Sequence, residues 1–145
     1  MSEQGLETIE STIQKTHEWI ARIAETERME KRESWKALRA VLQTVRDRLP
    51  VDIAVHFGAQ LPMLIRGMYY EGWEPSRVPI KLTLREFLDA IQQRIVAERA
   101  FDPVDVTQDV LSVVGSYVGG GEMEKVKHSF PRDMQNLFPA LAEAA

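Results

Sequence analysis

Trp35, Leu38, Leu42, Val45 and Leu49 recur at steps of three and four, and Pro50 ends the run. At 3.6 residues per turn this spacing puts five large apolar groups on one helix face. A helix with one apolar face must bury it against other elements, so this segment commits the chain to a packed helical fold. The sequence before it has the same period. Leu6, Ile9, Ile13, Ile20 and Ile23, with Trp19 beside Ile20, predict a helix from about Leu6 to Met29. Residues 25–33 are almost all charged and read as a solvated tip or connection.

Prolines divide the middle of the chain. Pro50 stops one helix and suits the first position of the next, where a missing N–H costs nothing and Asp52 complements the helix dipole. Ile53, Phe57 and Leu61 continue at four-residue steps to Pro62, and Ile65, Met68 and Tyr69 form the face of another short helix. Gly72, Pro75 and Pro79 mark residues 71–82 as a linker. Thr83 and Glu86 have the spacing of a capping box, opening a helix that carries Leu84, Leu88, Ile91 and Ile95. Asp102–Pro103 is a second start signal, and Val104, Thr107, Leu111, Val114 and Val118 fit the face of its helix. No alternating strand pattern of useful length occurs.

A shift of 69 residues superposes the two halves of this pattern. Trp35 falls on Val104, Leu42 on Leu111, Val45 on Val114, Phe57 on Val126, Pro62 on Pro131 and Tyr69 on Phe138, with no gap. A shift of 68 places Trp19 on Phe87 and Ile23 on Ile91. Few identities recur, so the case rests on the apolar pattern and the shared proline. The expected fold is all-α: about eight helices in two tandem four-helix units, about 6–70 and 83–139, joined by linker 71–82. The units are expected to be related by an internal pseudo-twofold and to form one compact domain over 1–145.

Composition narrows the function classes. The 145 residues suffice for a core of their own, and the absence of cysteine excludes disulfides, thiolate metal sites and a cysteine nucleophile. The net charge of −4 arises after residue 50, and neither half has the basic balance of a nucleic-acid binder. No segment approaches the roughly 20 continuous apolar residues of a membrane span. Residues 1–5 lack the basic and apolar regions of a signal peptide, so the cytoplasm is the expected compartment.

Residues 38–79, above all Gln60–Leu61–Pro62 and the stretch from Arg66–Gly67 to Trp73, resemble the bacterial and archaeal family catalogued as domain of unknown function 2267. Glu86–Phe87–Leu88, Gly121–Glu122 and Leu137–Phe138–Pro139 match its later pattern, so the resemblance runs from about Trp19 to Pro139. It implies a small helical protein with no assigned activity, and it supplies no catalytic residues.

No chemistry-bearing constellation emerges from the residues either. His17, His56 and His128 are never three or four positions apart, so no helix presents a two-histidine metal face. Gly119–Gly121 lacks a phosphate loop's Gly-Lys-Ser/Thr ending, and Glu122 would repel an anion there, so it reads as a helix-to-helix turn. No Gly-x-Ser-x-Gly motif occurs to suggest a nucleophile. No catalytic, metal or cofactor residue is therefore assigned.

The most unusual composition lies at residues 66–73. Tyr70 and Trp73 either pin the linker or rim a groove with Arg66 and Gln60 that takes a partner peptide or small ligand. The reading favoured is a non-enzymatic helical interaction module with a protein partner or a homodimer, without nucleic acid or membrane. The alternative is a small-molecule binder or enzyme with a pocket between the two units.

Overall fold

The computed structural model describes residues 3–95 and 100–140. They form seven α-helices: α1 (Glu3–Glu27), α2 (Lys31–Arg48), α3 (Val51–Gly58), α4 (Met63–Tyr70), α5 (Leu84–Arg94), α6 (Pro103–Tyr117) and α7 (Gly120–His128). Two 3₁₀ segments, Pro75–Arg77 and Arg132–Leu137, complete the order, and there is no strand among the described residues.

The capping signals of the sequence act at their expected positions. Thr83 Oγ1 accepts from the Glu86 amide at 3.2 Å while Glu86 accepts from the Thr83 amide at 2.9 Å. These two bonds satisfy donors that a helix start otherwise leaves unpaired, and hydrogen bonding from the Thr83 amide, with the Thr83 side chain second, holds the Glu86 carboxyl below its ordinary pKa. The Asp102 carboxylate accepts from the Val104 amide at 2.9 Å, with Pro103 at the first helical position. Pro50 sits one place earlier than expected. It is the N-cap residue, in extended conformation, and α3 begins at Val51. Pro62 stands in the same way before Met63 of α4.

Packing centres on α2, which lies against α1, α4, α5 and α6. Leu38, Leu42, Val45 and Leu49 are fully buried there, as the period requires. α1 also packs on α4 and α6, α5 on α6, α3 on α7, and the 132–137 segment on α6. One apolar cluster runs from Trp19 through Leu42 and Phe57 to Phe87, Val110 and Phe138, so both halves contribute to the same core.

Two helices differ sharply in length. α1 has 25 residues and α5 has 11, lengths of about 37 Å and 16 Å. Thr16, Ile20 and Ile23 on α1 are buried, but Leu6, Ile9 and Ile13, on the same stripe about one to three turns earlier, are 48%, 43% and 44% exposed. The N-terminal half of α1 overhangs the core.

Candidate interaction site

The overhang leans on the start of α4. The Leu64 amide donates to Thr12 Oγ1 at 2.9 Å. Pro62 has no side-chain cap to offer, so α1 supplies one. Met63 and Leu64, beside this contact, are 59% and 45% exposed. Leu6, Ile9 and Ile13 of the same overhang are likewise roughly half in water.

A cleft of about 670 Å³ opens beside this junction, with Thr12 and Met63 in its lining. Its walls are the polar row of α1, including Thr8, Ser11 and Lys15, and the α3–α4 corner with Gln60 and Arg66. Trp19 and Tyr117 meet at its edge, stacked 4.9 Å apart with planes 13° from parallel. The Arg22 guanidinium lies 5.3 Å from the Tyr117 ring centre and donates to Ser116 at 3.3 Å, steadying that edge.

The four residues singled out from sequence separate into two pairs. Gln60 and Arg66 line the cleft, whereas Tyr70 and Trp73 do not. Arg66 gives Nε to the carbonyl of Gly58 at 3.0 Å and Nη2 to those of Ala59 and Leu61 at 3.2 and 2.8 Å. It thereby gives the carbonyls of Ala59 and Leu61, just past α3, a donor, and adds a second donor to that of Gly58, which already accepts from the Leu61 amide. Tyr70 stands against Gly58, where a Cβ would come within 2.6 Å of the Tyr70 Cζ, so glycine lets the ring lie flat on α3. Its ring is 4.9 Å from Tyr69 and 5.4 Å from Trp73, and all three pack on the core cluster. Burial raises the Tyr70 phenol above its ordinary pKa, with Arg66 opposing. Burial also raises the Tyr69 phenol strongly, and its hydroxyl donates to the Ala54 carbonyl at 2.9 Å.

A buried arginine holds the linker from below. Arg46 is 3% exposed, yet its Nη1 donates to the carbonyls of Tyr69 and Glu71 at 2.8 and 2.7 Å, and its Nε and Nη2 bind Asp47 at 2.9 and 2.8 Å. Arg94 of α5 takes the other Asp47 oxygen at 2.9 Å. Gln43 adds a bond to the Met68 carbonyl at 2.9 Å. The end of α4 is thus capped by α2, which no local spacing in the sequence announces. Lys15, Glu18 and Tyr117 of the cleft carry no sequence signal either, because they meet only when α1 crosses α6.

Among the described residues no group of three His, Asp or Glu side chains is placed to hold a metal ion. Among them, too, no helix is long and apolar enough to cross a membrane. The arrangement defines a helical protein with an open cleft of mixed polar and apolar lining and with exposed apolar side chains on α1 and α4. The family model described as "Uncharacterized conserved protein (DUF2267)" matches residues 16–137, and the chain belongs to that family. No curated protein matches the chain. The match begins at Thr16, the first buried position of the α1 stripe, so the exposed overhang lies outside the matched residues.

Proposed function

We propose that this chain is a non-enzymatic helical interaction module whose docking face is the overhang of α1 with the start of α4. The observation that carries it is the exposure of Leu6, Ile9 and Ile13 on a stripe whose continuation, Ile20 and Ile23, is core. A helical stretch this short is marginal in water unless its apolar face is covered. An apolar patch rimmed by polar residues has the make-up of a protein contact surface. Selection of amphipathic helical peptides from a displayed library on the purified chain tests the reading. Retained peptides are expected to bind Ile9→Lys at least about tenfold more weakly. An empty selection, or peptides indifferent to Ile9→Lys, counts against it.

The scaffold behind this face we infer to be a duplicated four-helix unit. Adding 69 to the residue numbers carries the C-cap Leu49 onto the C-cap Val118 and the N-cap Pro62 onto the N-cap Pro131. Exchanging α1 with α5 and α2 with α6 turns the α1–α2 contact into α5–α6 and the α1–α6 contact into α5–α2. The α3–α7 and α2–α6 contacts map onto themselves, as pairs across a twofold axis do. The unmatched part is the overhang, because a shift of 68 puts the start of α5 at Thr16.

The cleft supports a second reading, small-molecule binding. Its volume falls in the usual ligand range. It belongs mainly to the first unit, with Tyr117 contributed by the second. A thermal-shift screen of metabolites addresses it. A ligand seated there is expected to lose its shift in Lys15→Ala, and no shift across a broad panel counts against it.

A further inference from the structure

The docking face has a geometry that selects its occupant. Leu6, Ile9 and Ile13 are spaced by three and four residues, so the set is nearly symmetric about Ile9. Two such helices crossed by a twofold axis at Ile9 bring Leu6 of each against Ile13 of the other and Ile9 against itself. Every aliphatic group meets an aliphatic group, which is the self-complementarity an isologous contact demands. From Thr16 onward the same stripe is covered by the chain's own core. A helix laid parallel to the overhang would run into that core. A helix laid antiparallel sets its own first turn, from Glu3, at that point and carries its body away from the core.

We infer that the occupant is a second copy of this chain, bound antiparallel through residues 3–15 of α1, with Met63 and Leu64 of each copy extending the contact. The inference rests on the docking-face reading. Its size sets its strength. Two helical segments about 20 Å long, with the Met63–Leu64 shelf added, bury on the order of 1,000 Å² in total. That is the small end of specific interfaces, so the dimer is reversible and assembles in roughly the micromolar range. The charge at its edge also acts on it. Glu10 flanks the stripe, and the twofold at Ile9 brings Glu10 of one copy near Glu10 of the other. Like charges there weaken the pair, so salt and Glu10→Gln both tighten it.

The chain's lack of cysteine makes a direct test available. Ile9→Cys, Leu6→Cys and Ile13→Cys are each exposed positions, and folding of each variant is checked by circular dichroism. Mild oxidation is expected to link Ile9→Cys to itself, and Leu6→Cys to Ile13→Cys in a mixture. Leu6→Cys alone and Ile13→Cys alone are expected to stay unlinked, because antiparallel pairing sets each of those sites about 10 Å from its own copy along the axis. Sedimentation equilibrium of the unaltered chain from about 1 μM to 1 mM is expected to show a monomer–dimer transition. The transition should shift at least about tenfold toward monomer in Ile9→Lys.

A monomer throughout that range overturns the inference, as does self-linking of Leu6→Cys and Ile13→Cys as ready as that of Ile9→Cys. A chain that stays monomeric but still selects helical peptides sensitive to Ile9→Lys loses the second copy and keeps the docking face. A chain that stays monomeric and selects none loses both.

Discussion

Thr12 and Leu64, 52 residues apart, are joined by a 2.9 Å hydrogen bond in which the Leu64 amide donates to the threonine hydroxyl. It is the contact that fixes the overhang of α1 on the first turn of α4. Caps of this kind contribute about 0.5–2 kcal/mol. Thr12→Val, which keeps the shape and removes the hydroxyl, is expected to lower the unfolding free energy by about 1 kcal/mol in urea titration. Thr12→Ser should lose much less. Equal losses in the two variants would show that packing, not the cap, holds the junction.

Arg46 is a stronger constraint. Its guanidinium sits in a dry position with two carbonyls and Asp47 as partners. Arg46→Ala removes the side-chain donor from both carbonyls and leaves Asp47 with Arg94 alone, and it is expected to cost about 3–5 kcal/mol. Arg46→Lys keeps the charge but cannot present donors in two directions from one plane, so it should remain clearly destabilised. Arg94→Ala, at a position about one-third exposed, is expected to cost under about 1 kcal/mol. Urea midpoints for the three variants check the order.

Tyr69 predicts how the fold responds to alkali. Its phenol is neutral in the folded chain well above the ordinary tyrosine pKa, because burial disfavours the anion. In the unfolded chain it ionises near pH 10. Above that pH the unfolded state has released a proton that the folded state still holds, so stability falls as pH rises. Tyr69→Phe is expected to be less stable at neutral pH by about 1 kcal/mol, the value of the lost bond to Ala54. It should also show a shallower loss between about pH 10 and 11. An unchanged slope would show that Tyr69 does not set the alkaline limit.

The shared core predicts cooperative unfolding. Trp19, Trp35 and Trp73 all precede residue 83, so tryptophan fluorescence reports the first half of the chain while far-ultraviolet circular dichroism reports both halves. Because α1 packs on α6 and α5 on α2, neither half of the chain keeps its core when the other is lost. The two signals are expected to change at the same urea concentration. Separate midpoints would mean two independently folding units.

The sequence is most legible where a local rule decides the structure. The period of Leu38, Leu42, Val45 and Leu49, the capping box of Thr83 and Glu86, and the stops at Pro50 and Pro62 need only neighbours along the chain, and each is present in the fold. Resemblance in the stretches around Gln60–Pro62 and Arg66–Trp73 is enough to place the family. Period alone does not tell that Leu6, Ile9 and Ile13 face water, because it fixes which residues share a face and not what covers it. The aromatic run at Tyr70 and Trp73 stands out by composition, yet the ring of Tyr70 rests on Gly58, twelve residues back, a relation with no signature in local spacing. Arg46 has the look of an ordinary charged position on α2. Only the approach of α4 turns it inward.

The central claim is that the stripe of the overhang serves contact between molecules and not the fold. Urea unfolding of Leu6→Gln/Ile9→Gln/Ile13→Gln, at a concentration where the chain is monomeric, tests it most directly. The expected unfolding free energy lies within about 0.5 kcal/mol of that of the unaltered chain, as for surface changes away from structural features. A loss of about 3 kcal/mol or more, the scale of core truncations, would contradict it and return those three side chains to the core.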